Sequence, residues 1–283
     1  LPSGTVTYIT HKLFKIPYFV SLHGLDILNS QKRFRKKKLA NKILANAKFI
    51  TVNSQCTKDL LKDIVEDQSK IKIVYPGVSE KFTQINETKL NEIKEKHNLK
   101  EKKVILTTGR LVHRKNQQLV IDAMKELVKD TPELVYIIIG NGPQKKDYDL
   151  RIKAYGLEDN IKILTDIEND ELPYFYELAD IFTMVSKTSS KDVEGFGIVY
   201  LEAGILAKPV IASTEGGSKE AVLENKTGLL IKENSIKELK DNIIKLLDNK
   251  ELANQLGNNA QKRIKNNFLW KDISKKLIEY ING

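Results

Sequence analysis

The chain has 283 residues, a length that suits two domains or one large domain with a sizeable buried core. Hydrophobic residues make up 41% and charged residues 30%, which excludes a wholly disordered protein, and the apolar runs are too short to span a membrane. Residues 1–98 hold 18 basic and 9 acidic side chains, so +9 of the formal net charge of +10 falls on the first third of the chain.

Short β-branched runs alternate with helical patterns along the chain. Several of these runs are continuously apolar, as expected for strands that are buried on both faces of a parallel sheet. Repeated βα units imply right-handed crossovers and therefore predict an open, doubly wound α/β fold. In chain order, the predicted strands span residues 17–22, 48–52, 71–74, 104–108, 134–139, 161–164, 180–185, 209–212 and 228–231.

A histidine, His23, lies at the carboxyl end of the first predicted strand and is followed by Gly24, Leu25 and Asp26. Ligands of open α/β sheets bind at the carboxyl ends of the strands, so a histidine here faces the expected crevice. A loop histidine with a purely structural hydrogen bond explains the position equally well.

A strongly basic segment follows, with apolar residues only at Phe34, Leu39 and Ile43. On charge alone, the basic first third could meet an anionic membrane surface, nucleic acid or a phosphorylated ligand. A helix of this composition could lie on anionic lipid, and a solvated lysine-rich face is the alternative without a function. The basic residues of the segment are Lys32, Arg33, Arg35, Lys36, Lys37, Lys38 and Lys42.

A polar stretch, residues 79–103, separates two series of βα units and is rich in Lys, Glu and Asn. The first series offers about three strands, which is few for an independent doubly wound domain. The second series has about six βα units and is long enough for a complete domain. We therefore expect a domain boundary between residues 78 and 100.

A loop with two cations follows the strand predicted at residues 104–108. Gly109 permits a tight backbone turn, and Arg110 and Lys115 lie beside the start of the next helix. Two cations at the carboxyl end of a strand suit a diphosphate, which they can hold by charge-assisted hydrogen bonds. Two surface cations on a connecting loop are the alternative.

A second loop, after the strand predicted at residues 180–185, carries two glutamates eight residues apart. Gly195 and Gly197 let the backbone approach a ligand, and a helix predicted to begin near Phe196 offers free N–H groups to an anion. Glu194 and Glu202 can each accept hydrogen bonds from adjacent hydroxyls of a sugar or ribose. Glu194 is equally well explained as an ordinary helix-start residue, whereas Glu202 lies in an apolar stretch where a carboxylate needs a partner.

The sequence contains no group of His and Cys residues with the spacing of a metal site. Asp147 and Asp149 fall on a predicted surface helix, residues 144–155, which directs their carboxylates away from each other. We therefore expect no bound metal.

Taken together, these motifs resemble the retaining GT-B glycosyltransferases of family 4, also called glycosyltransferase group 1. Gly109-Arg110-Leu111 with Lys115-Asn116 is similar to that family's Gly-Arg-Leu…Lys-Gly loop, with Asn116 in place of the more usual glycine. Glu194 and Glu202 are similar to its Glu-x7-Glu motif. Further matches are Lys208-Pro209-Val210-Ile211-Ala212-Ser213, Glu215-Gly216-Gly217…Glu220, Gly140-Asn141-Gly142-Pro143, Glu171-Leu172-Pro173…Ala179-Asp180, Pro17-Tyr18…His23-Gly24-Leu25-Asp26 and Val52-Asn53-Ser54.

The resemblance implies two Rossmann-like parallel-sheet domains that face a cleft. It implies an acceptor-side domain with linker over residues 1–98, a nucleotide-sugar donor domain over 99–266 and a C-terminal helix, 267–283, that crosses back to the first domain. Members of this family usually begin with a further strand and a glycine-rich loop, which this sequence lacks, so the first domain is expected to be truncated.

The resemblance also implies a reaction, the transfer of a sugar from a nucleotide-diphosphate sugar to a glycan or lipid-linked acceptor, with retention of configuration and without a metal or other cofactor. Arg110 and Lys115 would hold the diphosphate, Glu194 the sugar hydroxyls, and Glu202 the ribose. His23 would lie against the transferred sugar. The other donor-binding residues that it implies are Gly109, Leu164 near the base, Gly195, Phe196, Gly197, Ile198 and Val199.

The same resemblance implies a cytoplasmic protein of surface polysaccharide or glycolipid biosynthesis, with the basic residues 32–38 meeting anionic lipid at the inner membrane face. The lone cysteine, Cys56, agrees with a reducing compartment, and nucleic acid is no longer an expected partner. One alternative is a non-catalytic donor-binding fragment or one half of a split glycosyltransferase. A second alternative is a sugar-nucleotide epimerase of the same fold. That function would leave the presence of Glu194 and Glu202 beside Arg110 and Lys115 unexplained.

Overall fold

The structure, a computed structural model, describes residues 2–189 and 192–282 and contains two parallel β-sheets surrounded by helices. All nine predicted strands are present, and none of their ends is displaced by more than two residues. The α/β class predicted from the sequence is therefore confirmed.

The first sheet has three strands in the order β1-β2-β3, with Leu22 paired beside Val52. Because the strands are parallel, their carboxyl ends lie at one edge of the sheet. Ile43, Ile50 and Leu61 are buried in the small core that this sheet shares with its helices. The elements of this unit are β1 (Phe19–Leu22), β2 (Phe49–Val52), β3 (Ile71–Ile73), α1 (Pro2–Phe14), α2 (Leu25–Gln31), α3 (Phe34–Ala45) and α4 (Gln55–Asp59).

The second sheet has six parallel strands in the order β6-β5-β4-β7-β8-β9. The chain builds outward from β4 to β6 and then returns to place β7 on the other side of β4. This reversal is a topological switch point, where the loops after the two central strands diverge and leave a crevice. The strands are β4 (Lys103–Thr108), β5 (Leu134–Ile139), β6 (Ile161–Leu164), β7 (Ile181–Met184), β8 (Val210–Ser213) and β9 (Leu229–Ile231).

Local sequence explains why these segments form strands and helices. Every residue of β5 is buried and five of the six are aliphatic, which suits a strand covered on both faces. Helix α6 buries Leu119, Met124 and Leu127 along one face, at helical spacing. The helices of the second unit are α5 (Glu87–Lys96), α6 (Gln117–Asp130), α7 (Lys145–Tyr155), α8 (Leu172–Leu178), α9 (Ile198–Ile205), α10 (Ser218–Ala221), α11 (Ile236–Asp248) and α12 (Lys250–Asn267), and a last helix, α13 (Trp270–Asn282), follows them in the chain.

The polar stretch between the two sheets packs on the second unit. Ile93 on α5 and Leu99 after it are buried in the core beside β4 and β5. Before this stretch, the Val78 N–H donates to the carbonyl of Phe268 at 2.8 Å, and the Trp270 N–H donates back to the Val78 carbonyl at 3.2 Å. The junction of α12 and α13 is therefore tied to the chain where it passes from the first unit to the second.

Helix α13 lies against the start of β2, the central strand of the first sheet. The rings of Phe49 and Tyr280 are 6.4 Å apart between centroids, and the Lys48 ammonium donates to the carbonyl of Ile281 at 3.2 Å. The predicted domain limits at residues 98 and 266 stay predictions. Within the described ranges, none of the helices combines the length and apolar character needed to cross a membrane.

Candidate active site

The crevice at the switch point is bordered by the loop after β4 and the loop after β7. In the first loop, Gly109 has φ +140°, and a Cβ on Gly140 would lie 2.1 Å from the Gly109 carbonyl oxygen. The Leu111 N–H donates to the carbonyl of Asn141 at 2.9 Å, so the loops after β4 and β5 pack backbone against backbone. This contact explains the glycines, because a side chain at Gly140 would force the two loops apart.

A 3-10 turn, His113–Lys115, leads from this loop to α6. Asn116 follows it with φ +53°, in the left-handed region that glycine adopts most readily and asparagine tolerates. Its side-chain amide donates to the carbonyl of Val185 at 3.2 Å. The asparagine therefore fits a backbone position that glycine would also fit.

The carboxylate of Glu194 is the centre of a buried ionic cluster. The Glu194 residue is only 7% exposed. Its Oε2 accepts hydrogen bonds from the Lys115 ammonium at 2.7 Å, from the Ser186 hydroxyl at 3.1 Å and from Nη1 of Arg114. Nε of Arg114 also pairs with the carboxylate of Asp192 at 3.1 Å. The cluster therefore joins the turn before α6 to the loop after β7.

The charges in this cluster shift the pKa values of its members. Burial by itself raises the pKa of Glu194, but the neighbouring Lys115 and Arg114 cations outweigh it and lower the pKa below the ordinary value of 4.5. Burial lowers the pKa of Lys115, and the attraction of Glu194 opposes that effect. Glu194 is therefore ionised near neutral pH, in a place where water screens its charge little.

The loop after β7 also contacts the first unit. A Cβ on Gly195 would lie 2.5 Å from the carbonyl oxygen of His23 and 2.7 Å from Nδ2 of Asn53, so only glycine fits there. The His23 N–H donates to the carboxylate of Asp26 at 3.1 Å, while the His23 side chain is exposed. The backbone at His23 therefore lies directly beside the ionic cluster, across the cleft between the two units.

Helix α9 begins at Ile198, two residues later than the predicted start near Phe196. Phe196 is buried and its ring lies 5.3 Å from the ring of Tyr75 and 5.9 Å from the ring of Phe268, between centroids. Its side chain is thus part of the contact between the units. Ile198 and Val199 form the first turn of α9, after Gly197. The N–H groups of a first helical turn have no acceptor within the helix, so these two are available at the end of α9 that follows the crevice loop.

Glu202 lies further along α9, and its carboxylate accepts a hydrogen bond from the Tyr176 hydroxyl at 2.6 Å. That hydroxyl is also 2.5 Å from the hydroxyl of Thr108, the last residue of β4. Burial raises the pKa of Glu202 above the ordinary value, because no cation makes a direct pair with it among the described residues. The partner that the sequence required for this carboxylate is therefore a tyrosine.

The structure brings most of the predicted site residues into one region. Gly109, Lys115, Glu194 and Gly195 are linked by direct contacts, and Glu202 joins them through Tyr176 and Thr108. Leu164 ends β6, and its carbonyl accepts the Gly140 N–H at 2.9 Å, next to the Gly109 loop. Arg110 is exposed, and its side chain has no hydrogen bond or ion pair with the residues that the structure describes.

The sequence interpretation missed Arg114, Ser186 and Tyr176. Arg114 directly precedes Lys115, so its place in the same turn was the signal that could have identified it. Ser186 follows β7 and faces the same crevice. No sequence signal pairs Tyr176 with Glu202, since they are 26 residues apart and meet only through the packing of α8 against α9.

Among residues 2–189 and 192–282, no three His, Cys, Asp or Glu side chains are grouped closely enough to hold a metal ion. Asp149 pairs with Lys145 at 2.7 Å on the outside of α7.

Comparison with known families and proteins agrees with this geometry. The family described as Glycosyl transferases group 1 matches residues 89–263, more than half of the chain. The GDP-mannose-dependent alpha-(1-6)-phosphatidylinositol monomannoside mannosyltransferase of Mycobacterium tuberculosis is 28% identical over 236 residues, which cover 83% of this chain and 61% of the relative. The alpha-D-kanosaminyltransferase of Streptomyces kanamyceticus is 23% identical over 263 residues, covering 89% and 67%.

Among solved structures, HepE of Anabaena in complex with UDP and glucose matches with a TM-score of 0.87 at 22% sequence identity. The match covers 100% of this chain and 76% of that protein. This likeness confirms the predicted GT-B fold of two facing Rossmann-like units. The chain spans about six-tenths of the length of the mycobacterial relative.

Proposed function

The chain belongs to the glycosyl transferases of group 1, and on that basis we propose that it transfers a sugar from a nucleotide-diphosphate sugar to a glycan or lipid-linked acceptor, with retention of configuration. The observation that carries this proposal is the contact of Lys115 with Glu194 beside the Gly109 loop, at the switch point of the donor sheet. A cation for a diphosphate and a carboxylate for sugar hydroxyls are thereby adjacent.

The chemistry of the transfer explains why the site needs these charges. Breaking the bond between sugar and diphosphate leaves an oxocarbenium-like sugar and adds negative charge to the departing phosphate oxygen. Arg110, Lys115 and the N–H groups at the start of α9 would stabilise that charge, which is larger in the transition state than in the bound donor. We propose that these groups act in place of a metal ion.

The remaining donor contacts follow from position. Glu202 would accept hydrogen bonds from the ribose hydroxyls, and the end of β6 at Leu164 would lie near the base. Glu194 would hold hydroxyls of the transferred sugar, with His23 against that sugar on the side of the first unit. His23, Arg110, Lys115 and Glu194 are thus the proposed catalytic residues.

The acceptor would approach from the first unit, where the basic segment lies. All six cations at residues 32–38 are exposed, so they are free to meet an anionic surface. The name of the mycobacterial relative describes transfer to a phosphatidylinositol monomannoside, and the name of the Streptomyces relative describes transfer of a kanosaminyl group. We propose a lipid-linked acceptor at the inner membrane face, because the exposed cations favour anionic lipid.

A thermal-shift screen tests the donor class. UDP, UDP-glucose, GDP and GDP-mannose are the probes, because these are the nucleotides that the names of the similar proteins contain. A ligand that binds only the folded state raises the melting temperature. At a ligand concentration one hundred times its dissociation constant, it adds about 2.7 kcal/mol to the free energy of unfolding. We expect at least one nucleoside diphosphate and the corresponding sugar nucleotide to raise the melting temperature.

The matched variant is Arg110→Met, which should lose most of the shift without a lower melting temperature in the absence of ligand, since Arg110 has no partner among the described side chains. If none of the four probes stabilises the wild-type protein, the proposed function is wrong for these donors. Binding of a sugar nucleotide without its turnover, with or without acceptor extract, would instead favour the non-catalytic donor-binding protein.

A further inference from the structure

Three side chains donate to one oxygen of Glu194, and the other oxygen is left open. Lys115, Ser186 and Arg114 all reach Oε2, whereas none of the residues that the structure describes donates to Oε1. If Glu194 is to accept a hydrogen bond from a sugar hydroxyl, Oε1 is the atom available for it. The groups that hold Oε2 then decide where Oε1 lies.

Arg114 holds the loop after β7 at three points. Its Nη1 contacts Glu194, its Nε pairs with Asp192 at 3.1 Å, and its carbonyl oxygen accepts the Lys187 N–H at 2.7 Å. A guanidinium can lie between two carboxylates in this way because its nitrogens diverge in one rigid plane. The contact with Asp192 is an ion pair without hydrogen-bond geometry, since neither Nε of Arg114 nor Oδ1 of Asp192 has a hydrogen-bond partner among the described residues. The Arg114 side chain is 19% exposed and that of Glu194 is 9% exposed, so their ion pair is poorly screened by water, whereas Asp192 is 36% exposed.

The Lys115 ammonium has one carboxylate partner, whereas the Arg114 guanidinium has two. The ammonium of Lys115 contacts Glu194 at 2.7 Å and the sulfur of Met184 at 3.2 Å, and the Lys115 stem lies beside the Gly109 loop. An ammonium on a flexible stem can exchange one anion for another at little cost in geometry. When it turns to a diphosphate, Glu194 loses one of its two cations and depends on the other.

Resting on the proposed function, we propose that Arg114, aligned by Asp192, is the positioning residue that keeps Glu194 in place for the donor sugar while the Lys115 ammonium moves to the diphosphate. The two neighbouring cations thus have different tasks. Arg114 acts through Glu194 and does not contact the donor itself.

Calorimetry with two ligand pairs, UDP with UDP-glucose and GDP with GDP-mannose, tests this division. In Arg114→Met, the affinity for the sugar nucleotide that the wild type binds should fall about tenfold, with the affinity for the matching nucleoside diphosphate unchanged within about twofold. Arg114→Lys should not restore the loss, because an ammonium cannot bridge Glu194 and Asp192. Asp192→Asn should give a smaller loss of the same kind.

Arg151→Met is the matched control, because Arg151 also pairs with a carboxylate, Asp122 at 2.6 Å, but between α6 and α7 away from the crevice. It should leave both affinities unchanged. Equal losses for UDP and UDP-glucose, or for GDP and GDP-mannose, in Arg114→Met would mean that Arg114 binds the diphosphate directly and would overturn the proposal. No loss for either member of a pair would overturn it as well.

A second measurement needs no donor and therefore separates this proposal from the proposed function. The titration of the Glu194 carboxyl can be followed by ¹³C NMR, with Glu194→Gln to assign its signal. The charged groups that face this carboxyl are Arg114, Lys115 and, through Arg114, Asp192. Arg114→Met should raise the Glu194 pKa, and an unchanged titration would overturn the proposal even if every nucleotide binds.

Discussion

At the scale of single residues, the two glutamates of the Glu-x7-Glu motif are buried in opposite electrostatic environments. Glu194 lies against two cations, which lower its pKa despite its burial. Glu202 has the neutral hydroxyl of Tyr176 as its hydrogen-bond partner, and burial raises its pKa. The fold therefore favours the ionised form of Glu194 and disfavours the ionised form of Glu202.

We predict that glutamine at these two positions changes stability in opposite directions. Glu194→Gln should destabilise the protein at pH 7 by about 2–4 kcal/mol, because it leaves Lys115 buried without a counter-charge and Arg114 with Asp192 alone. Glu202→Gln should raise the melting temperature at pH 7, because the amide keeps a hydrogen bond to Tyr176 and no charge is buried. The same change should weaken nucleoside diphosphate binding about tenfold or more through the ribose contact.

The pH dependence gives the sign of each effect. The folded-state pKa of Glu194 is lowered, so its stabilising contribution is present above its ordinary value of 4.5 and is lost as the pH falls through the lowered value. The folded-state pKa of Glu202 is raised, so the folded protein binds a proton at this carboxyl more readily than the unfolded chain does. The gain in stability from Glu202→Gln is therefore lost as the pH falls below 4.5. Thermal unfolding between pH 4 and 8 measures both, with Glu92→Gln as control, since Glu92 is exposed and has no ion pair among the described side chains. Equal shifts for the two variants would contradict the prediction.

At the scale of secondary-structure elements, α13 completes the first unit although it follows the second in sequence. Tyr280 covers Phe49 on β2, and its ring also lies 5.9 Å from the ammonium of Lys72 on β3. A three-stranded sheet with a small core depends on such a cover, because few strands bury little apolar surface. The first unit should therefore lose stability when this one contact is removed.

We predict that Tyr280→Ser exposes the ring of Phe49 and lowers the local opening free energy of β2 and β3 by about 2 kcal/mol. Hydrogen exchange at residues 49–52 and 71–73 should quicken more than tenfold, while exchange in β4 and β5 stays unchanged. Ile278→Ser is the matched control, since Ile278 lies on the same helix with 54% exposure. Equal protection of β2 in both variants would show that α13 does not support the first sheet.

At the scale of the whole molecule, the charge is divided between the two units. Residues 1–98 carry +9 of the net +10, and the cations at residues 32–38 are all exposed at the start of α3. Phe34 in the middle of them is 82% exposed, so an apolar ring accompanies the charges. Cations around an exposed aromatic ring suit the interface of an anionic bilayer.

We predict that the protein binds vesicles of phosphatidylserine and phosphatidylcholine, and that binding falls as salt is raised because the contact is electrostatic. Replacing Lys36, Lys37 and Lys38 by Gln should weaken binding about a hundredfold, at ~1 kcal/mol for each charge. The control replaces three exposed lysines of the second unit, Lys237, Lys245 and Lys250. Equal losses in a vesicle co-sedimentation assay would mean that net charge alone drives binding.

Much of the fold was predictable because parallel strands buried on both faces leave a strong mark in the sequence. Strands such as β5 are continuous apolar runs, and their limits were correct at both ends. The start of α9 was placed two residues early, because Phe196 fits a helix pattern but packs instead between the two units. The cleft contact of Gly195 with His23 could not be predicted, since the two residues are 172 positions apart and meet only when the units face each other.

The sequence by itself determined the α/β class, the order of the strands along the chain and the two loops that border the crevice, because periodicity and glycine positions are local properties. Only the tertiary structure decided how the cations are used. Lys115 and Arg114 meet Glu194 because β4 and β7 are neighbours in the sheet, while Arg110, which the motif pairs with Lys115, is exposed. The type of a residue determines the charge that its side chain can carry. The tertiary structure determines which opposite charge, if any, that side chain contacts.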